Sequence, residues 1–96
     1  MQISVVIPAL NEAGNIARLV EETFAVVPAE MLAEVIVVDD GSDDGTGAEV
    51  MALQERAEYK RLMYIRHASR CGKSAAMRSG ILAASAAVLA TMDGDG

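Results

Sequence analysis

Tryptophan is absent from this 96-residue chain, and aromatic residues make up only 3% of it. Stacking platforms for bases or sugar rings are therefore few. The single cysteine, Cys71, excludes an internal disulfide framework and a zinc site built from cysteines. No apolar run approaches the roughly 20 residues that cross a bilayer. No basic segment precedes an apolar stretch at the N-terminus, so no signal peptide is expected and a cytoplasmic location follows by default. Association with the cytoplasmic face of a membrane would fall to segments of a longer protein. Basic side chains are the minority, 8 against 14 acidic ones, for a net charge of −6. That balance argues against a nucleic-acid backbone as the main partner. With 52% hydrophobic residues, the chain suffices for one small globular domain with one core.

What is present is organised around the stretch Val35 to Thr46. Three valines and one isoleucine run into four aspartates: Asp39, Asp40, Asp43 and Asp44. The apolar run is β-branched throughout and does not alternate, which predicts a strand covered on both faces. The aspartates then sit at the carboxyl end of that strand, where open α/β sheets bind ligands. Carboxylates crowded in this way repel one another unless cations or hydrogen-bond donors meet them. Gly41, Ser42 and Gly45 let the backbone turn and start a helix, with Ser42 and Asp43 or Asp44 as capping candidates. A plain strand-to-helix turn and a nucleotide pocket both fit this spacing.

The remaining elements alternate. Ile3 to Ile7 predicts a central strand stopped by Pro8. Asn11 is placed to cap a helix whose stripe is Ile16, Leu19, Val20, Phe24 and Val27, ended by Pro28. Ala29 to Glu34 reads as a connector and Val35 to Val38 as the second strand. A helix after Thr46 should turn Val50, Leu53 and Ala57 inward. Arg61 to Ile65 is the third strand. A small-residue helix over Lys73 to Ser85 follows, packing through Ala76, Met77, Gly80, Ile81 and Ala84. Val88 to Met92 is the fourth strand. The order β-α-β-α-β-α-β predicts right-handed crossovers and a parallel sheet. The loops after the strands should share the carboxyl edge. The chain ends inside an acidic loop, which reads as a fragment of something longer, and an exposed sheet edge invites self-association into a homo-oligomer.

Asp93-Gly94-Asp95 sets two carboxylates on one side of an extended segment. Two hard oxygen ligands suit Mg2+ or Mn2+ shared with substrate phosphates, although such triplets also occur as solvated turns. Gly72-Lys73-Ser74 imitates the end of a Walker A loop, but the first glycine would fall at His67. No Gly-x-Gly-x-x-Gly follows the first strand either. Lys73 remains a cation near Arg66, Arg70 and Arg78, suited to meeting phosphate at a helix start. His67 reads as a surface side chain. Cys71 reads as semi-buried and not nucleophilic, because no base partner is evident.

Together and in this order, four segments resemble the amino-terminal half of a family 2 glycosyltransferase with the GT-A fold. They are Val5 to Glu12 with Asn15-Ile16, Val35 to Thr46, Arg70 to Gly80, and Met92-Asp93-Gly94-Asp95. The Pro-Ala-Leu-Asn-Glu form and the Asp-Gly-Asp ending are most similar to polyprenyl-phosphate sugar transferases of the dolichol-phosphate mannose synthase type. With the alternation of elements, the resemblance implies a three-layer α/β/α sandwich with a mostly parallel, Rossmann-like sheet and strand order 3-2-1-4. Residues 1–96 would be the nucleotide-sugar-binding part of such a domain. The resemblance also implies that Pro8, Ala9, Asn11 and Glu12 border the nucleoside of a UDP- or GDP-sugar. Asp39 and Asp40 would contact the base or hold their loop, and Lys73 would approach the base or diphosphate. Asp93 would meet the sugar-diphosphate and, with Asp95, carry Mg2+ or Mn2+. The acceptor would be a polyprenyl phosphate or a saccharide, and the catalytic base would lie beyond Gly96, leaving these residues alone with little or no transferase activity. Two competing classes are a receiver-like Mg-binding domain and a non-catalytic α/β binding module. In a receiver the acidic pair should follow the first strand, whereas here it follows the second.

Overall fold

A computed structural model of the chain describes residues 1–90. The elements are β1 (Ile3–Ala9), α1 (Ile16–Val26), β2 (Leu32–Asp39), α2 (Thr46–Gln54), β3 (Leu62–Arg66), α3 (Lys73–Ala83) and β4 (Ala87–Ala90). The four strands form one parallel sheet, as the alternation predicted, in the expected order β3-β2-β1-β4.

Successive strand residues point to opposite faces, and here both faces are covered. Val5, Ile7, Val35 and Val37 pack with Ile16 and Val20 of α1 and Val50 and Leu53 of α2. Val6, Ile36 and Val38 pack with Ala76 of α3. The layers are therefore α1 and α2, the sheet, and α3. This double cover is why Val35 to Val38 shows no alternation: each side chain is fully buried, worth about 1.5–3 kcal/mol relative to exposure.

The boundaries differ from expectation in physically readable ways. Pro8 does not stop β1, which continues to Ala9. The Ala9 carbonyl accepts the Asp40 N–H at 2.9 Å, so the ladder groups of Ala9 face β2 and those of Pro8 face away from it. The N–H that proline lacks thus breaks no β1–β2 bond. α1 starts at Ile16 behind Asn15, so Asn11 is not its cap. The connector before β2 is only a 3-10 turn, Ala29–Met31, and Leu32 already belongs to the strand. α2 ends at Gln54, and Ala57 lies exposed in a further 3-10 turn, Ala57–Tyr59. α3 touches the sheet along a narrow line through Ala76 and Gly80, which leaves Ile81 49% exposed. Of the predicted fourth strand, Thr91 and Met92 lie outside the described residues.

Ser4, the polar interruption in the first strand, is wholly buried. Its hydroxyl donates to Glu34 and accepts the Ala86 N–H at 3.2 Å, while the Ser85 hydroxyl donates to Glu34 at 2.7 Å. One carboxylate thereby joins β1, β2 and the α3–β4 turn at the end of the sheet away from the aspartates. Burial pushes the Glu34 carboxyl up, but the hydrogen bonds from Ser4 and Ser85 outweigh it and hold it below its ordinary value.

Gly80 sets how close α3 lies. A Cβ there would stand 2.4 Å from Cγ1 of Val6 and 3.3 Å from Cγ2 of Val38, both stiff β-branched side chains. Alanine favours a helix over glycine by about 1 kcal/mol. Overpacking a core commonly costs about 1–3 kcal/mol. Gly80→Ala is therefore expected to lower stability by about 1 kcal/mol net, and a urea midpoint at or above wild type would contradict this packing.

Candidate functional site

β2 ends in two adjacent carboxylates that serve opposite layers. Asp39 is wholly buried on the α2 side. Its Oδ1 accepts the Ser42 N–H at 2.8 Å, and its Oδ2 accepts the Tyr64 hydroxyl at 2.6 Å and Arg66 Nη1 at 3.1 Å. Arg66 also donates to the Ser42 carbonyl at 2.8 Å. Gly47 makes room for this arrangement, since a Cβ there would lie 2.4 Å from the Tyr64 hydroxyl. Burial pushes the Asp39 carboxyl up, but the bonds from Ser42 and Tyr64 and the Arg66 charge hold it below the usual carboxylate range.

Asp40, 5% exposed, faces α3. Its Oδ1 accepts the Cys71 N–H at 2.9 Å and lies 2.8 Å from His67 Nδ1, and its Oδ2 accepts the Gly72 N–H at 2.9 Å. Here too burial raises the carboxyl, and His67 with the two amides overrides it, so the group stays ionised below its ordinary pKa. Gly41 follows with φ +81°. A Cβ there would come within 2.9 Å of the Arg70 nitrogen, so only glycine lets the 66–72 loop pass this close.

The turn after β2 also carries the loop after β1. Asn11 N–H donates to Ser42 Oγ at 2.8 Å, and Glu12 N–H donates to Thr46 Oγ1 at 2.8 Å. Ala13 N–H donates to Asp44 at 3.2 Å, and Asn11 Oδ1 accepts the Asp43 N–H at 3.1 Å. Asp44 also accepts the Thr46 N–H at 2.9 Å. Donors meet three of the four clustered aspartates at their side chains, which answers the repulsion that the sequence posed. Asn11 has φ +51° and works as a loop clasp instead of a helix cap.

Pro8, Ala9, Leu10, Glu12, Asp40, Lys73 and Ala76 line a cleft of about 80 Å³ at this edge. Five of the sequence-predicted site residues meet there: Pro8, Ala9, Glu12, Asp40 and Lys73. Asn11 is turned to the Ser42–Asp43 turn, and the Asp39 carboxylate is engaged away from the cleft with Tyr64 and Arg66. Asp93 and Asp95 lie outside the described residues. A larger hollow of about 510 Å³, lined by Phe24, Val27, Leu32, Tyr59 and Arg61 among others, sits at the opposite end of the strands. Arg61 there donates to the carbonyls of Ala29 and Leu32 at 2.8 and 2.7 Å, a structural tie between segments. Size thus does not mark the site; convergent polar groups do.

Two side-chain expectations are corrected. His67 is no surface residue: its side chain is 14% exposed and both ring nitrogens are hydrogen-bonded. Cys71 is exposed instead of semi-buried: its amide is held by Asp40, and its thiol reaches only the neighbouring Ser69 carbonyl, at 3.3 Å. The signal for His67 and Tyr64 was register. Arg66 of β3 pairs with Asp39 of β2, which sets the next residue beside Asp40. Among the described residues, Asp40, His67 and Cys71 offer ligand atoms within 4.8 Å of one another. A metal ion there would have to replace the Asp40–His67 hydrogen bond.

Both aspartates are held below their ordinary pKa of about 3.9, so their contribution to stability is complete above that value. It is lost as pH falls further, through the folded values. Urea unfolding between pH 7 and pH 3 should show a plateau followed by a decline below about pH 4. Asp40→Asn weakens charge-assisted bonds and should lower the plateau by about 2 kcal/mol while flattening the decline. An unchanged acid slope in this variant would show that the carboxylate is not held as described.

Residues 4–96 match the family described as glycosyl transferase family 2. The chain is 38% identical over 93 residues to the glycosyltransferase AglE of Haloferax volcanii, covering 97% of this chain and 30% of that protein. It is 37% identical over 97 residues to a dolichol-phosphate mannosyltransferase of Saccharomyces cerevisiae, covering 99% and 36%. The chain thus spans about a third of the length of these relatives. Its structure superposes with a TM-score of 0.74 on the mannosyltransferase PcManGT of Pyrobaculum calidifontis, solved in complex with GDP-Man and Mn2+. That superposition has 28% identity and covers 88% of this chain and 24% of the other. A parallel sheet in the order β3-β2-β1-β4, a carboxyl-edge cleft and a match over nearly every residue lead to one statement: this chain belongs to glycosyl transferase family 2.

Proposed function

We propose that this chain forms the nucleotide-sugar-binding part of a glycosyltransferase that moves a sugar from a UDP- or GDP-sugar to an acceptor, a polyprenyl phosphate. The observation that carries this is the position of the cleft. β1 neighbours both β2 and β4, and the chain runs outward through β2 and β3 before crossing back to β4. The connection leaving β1 crosses one face of the sheet through α1 and the one entering β4 crosses the other through α3, so β1 and β4 flank the switch in strand order, where a crevice opens at the carboxyl ends. Pro8, Ala9, Glu12, Asp40 and Lys73 line that crevice, and Asp93 and Asp95 follow β4 in sequence. The mannosyltransferase complex with GDP-Man and Mn2+ and the dolichol-phosphate relative support the donor and acceptor classes.

In this reading Pro8, Ala9 and Glu12 border the nucleoside, Asn11 clasps their loop to Ser42 and Asp43, and Asp39 and Asp40 hold the walls through backbone amides. Lys73, at the start of α3, meets the diphosphate with the helix-terminal N–H groups. Asp93 meets the sugar-diphosphate and, with Asp95, forms a hard two-carboxylate set suited to Mg2+ or Mn2+. When bound, such an ion neutralises charge on the departing diphosphate. The acceptor base belongs to residues outside these 96. The receiver-like alternative loses ground because Asp39 and Asp40 are committed to donors within the fold.

Calorimetry with UDP and GDP, each with and without Mn2+, tests the reading. One nucleotide should bind, more tightly with metal. Lys73→Ala should weaken binding about tenfold, the equivalent of about 1.4 kcal/mol. Asp95→Ala should remove the metal dependence. Absence of binding to either nucleotide would refute the assignment.

A further inference from the structure

We propose that His67 is a positioning residue for this cleft: through Asp40 it fixes the turn at Cys71–Gly72 and so sets where Lys73 enters. The consequence for ligand binding rests on the nucleotide-sugar reading; the positioning itself does not. His67 continues from β3, and its N–H donates to the Asp39 carbonyl at 2.9 Å, which pins its backbone to β2. Its ring then bridges two layers. Nδ1 lies 2.8 Å from Asp40 Oδ1, and Nε2 lies 2.8 Å from Ser79 Oγ on α3. An ionised carboxylate only accepts, so Nδ1 carries the proton toward Asp40, and in the neutral ring Nε2 accepts from the Ser79 hydroxyl.

The Asp40 carboxylate does two tasks at once. It lines the cleft beside Lys73, and it takes the N–H groups of the two residues immediately before Lys73. Those residues need an outside partner. Gly72, at the N-cap of α3, has φ +100° and no capping side chain, and the first turn of α3 carries no acidic residue. N3 of α3 is Ala75, so Asp40 supplies from another strand the acceptor that a capping-box Glu at N3 would supply to the N-cap N–H. His67 is the side chain that holds this acceptor in orientation, and Ser79 holds His67. Without the imidazole, Asp40 Oδ1 keeps only the Cys71 amide and Oδ2 only the Gly72 amide, so no side chain outside the turn steadies the carboxylate.

The test compares wild type, His67→Ala, His67→Asn and Ser79→Ala by amide hydrogen exchange and by calorimetry with UDP and GDP in Mn2+. In His67→Ala, exchange at Cys71 and Gly72 should quicken about tenfold while the β2 core amides keep their protection. Nucleotide affinity should fall about tenfold, the scale of coupling within one hydrogen-bond network. His67→Asn places an N–H near the Nδ1 position and should restore most of both; Ser79→Ala should give a smaller loss of both. In a Lys73→Ala background, His67→Ala should cost no further affinity. Unchanged exchange at residues 71 and 72, or losses from the two alanine variants that simply add, would overturn the proposal. Should His67→Ala fail to fold, Ser79→Ala and His67→Asn carry the same comparison. A protein that binds neither nucleotide yet shows the exchange response would support the positioning role and overturn the nucleotide reading alone.

Discussion

Two neighbouring carboxylates at the end of one buried strand must each find donors, and most of the geometry at this edge follows from how they do so. Adjacent strand residues face opposite ways, so Asp39 and Asp40 cannot share partners. Asp39 gathers Ser42, Tyr64 and Arg66, and thereby ties β2 to β3 and to the turn that starts α2. Asp40 gathers His67, Cys71 and Gly72, and thereby ties β2 to the loop that starts α3. The strand tip becomes a fork whose two prongs position the two layers relative to each other.

The sheet makes this fork rigid. β2 is central, with β1 and β3 on either side and apolar side chains packed on both faces. A carboxylate mounted on such a strand moves little, and whatever it grips inherits that stiffness. Gly47 and Gly80 contribute by leaving out atoms: at Gly47 the Tyr64 hydroxyl reaches in to Asp39, and at Gly80 helix meets strand at close range. The loop after β1 has few buried side chains of its own and borrows order from Ser42, Asp44 and Thr46.

Much of this was legible in the sequence because it depends on patterns within a segment. Alternating elements gave the parallel sheet, and the unbroken run Val35 to Val38 gave the strand buried on both faces. The meeting of Pro8, Glu12, Asp40 and Lys73 followed from their common place at strand ends and helix starts. What escaped depends on relations between segments. The exposure of His67 was misread because it turns on the register of β3 against β2, which no local pattern encodes. Asn11 looked like a helix cap because asparagine before a helix often is one; its true partners lie some thirty positions on, at Ser42 and Asp43. Pro8 looked like a strand end because the direction of its missing N–H is invisible until neighbours are placed.

At Cys71 and Gly72 the grip on the loop is made through main-chain amides, while the side chains of Arg70 and Cys71 are exposed to solvent. A grip of that kind does not read side-chain identity. The rim of the cleft can therefore diversify at these positions by ordinary mutation, acquiring new surface chemistry toward different ligands, while Gly41 and Gly72 beneath it are denied the same latitude by their left-handed backbone. Evolvability at this edge is partitioned residue by residue: freedom where only an amide is used, constraint where the chain itself must bend.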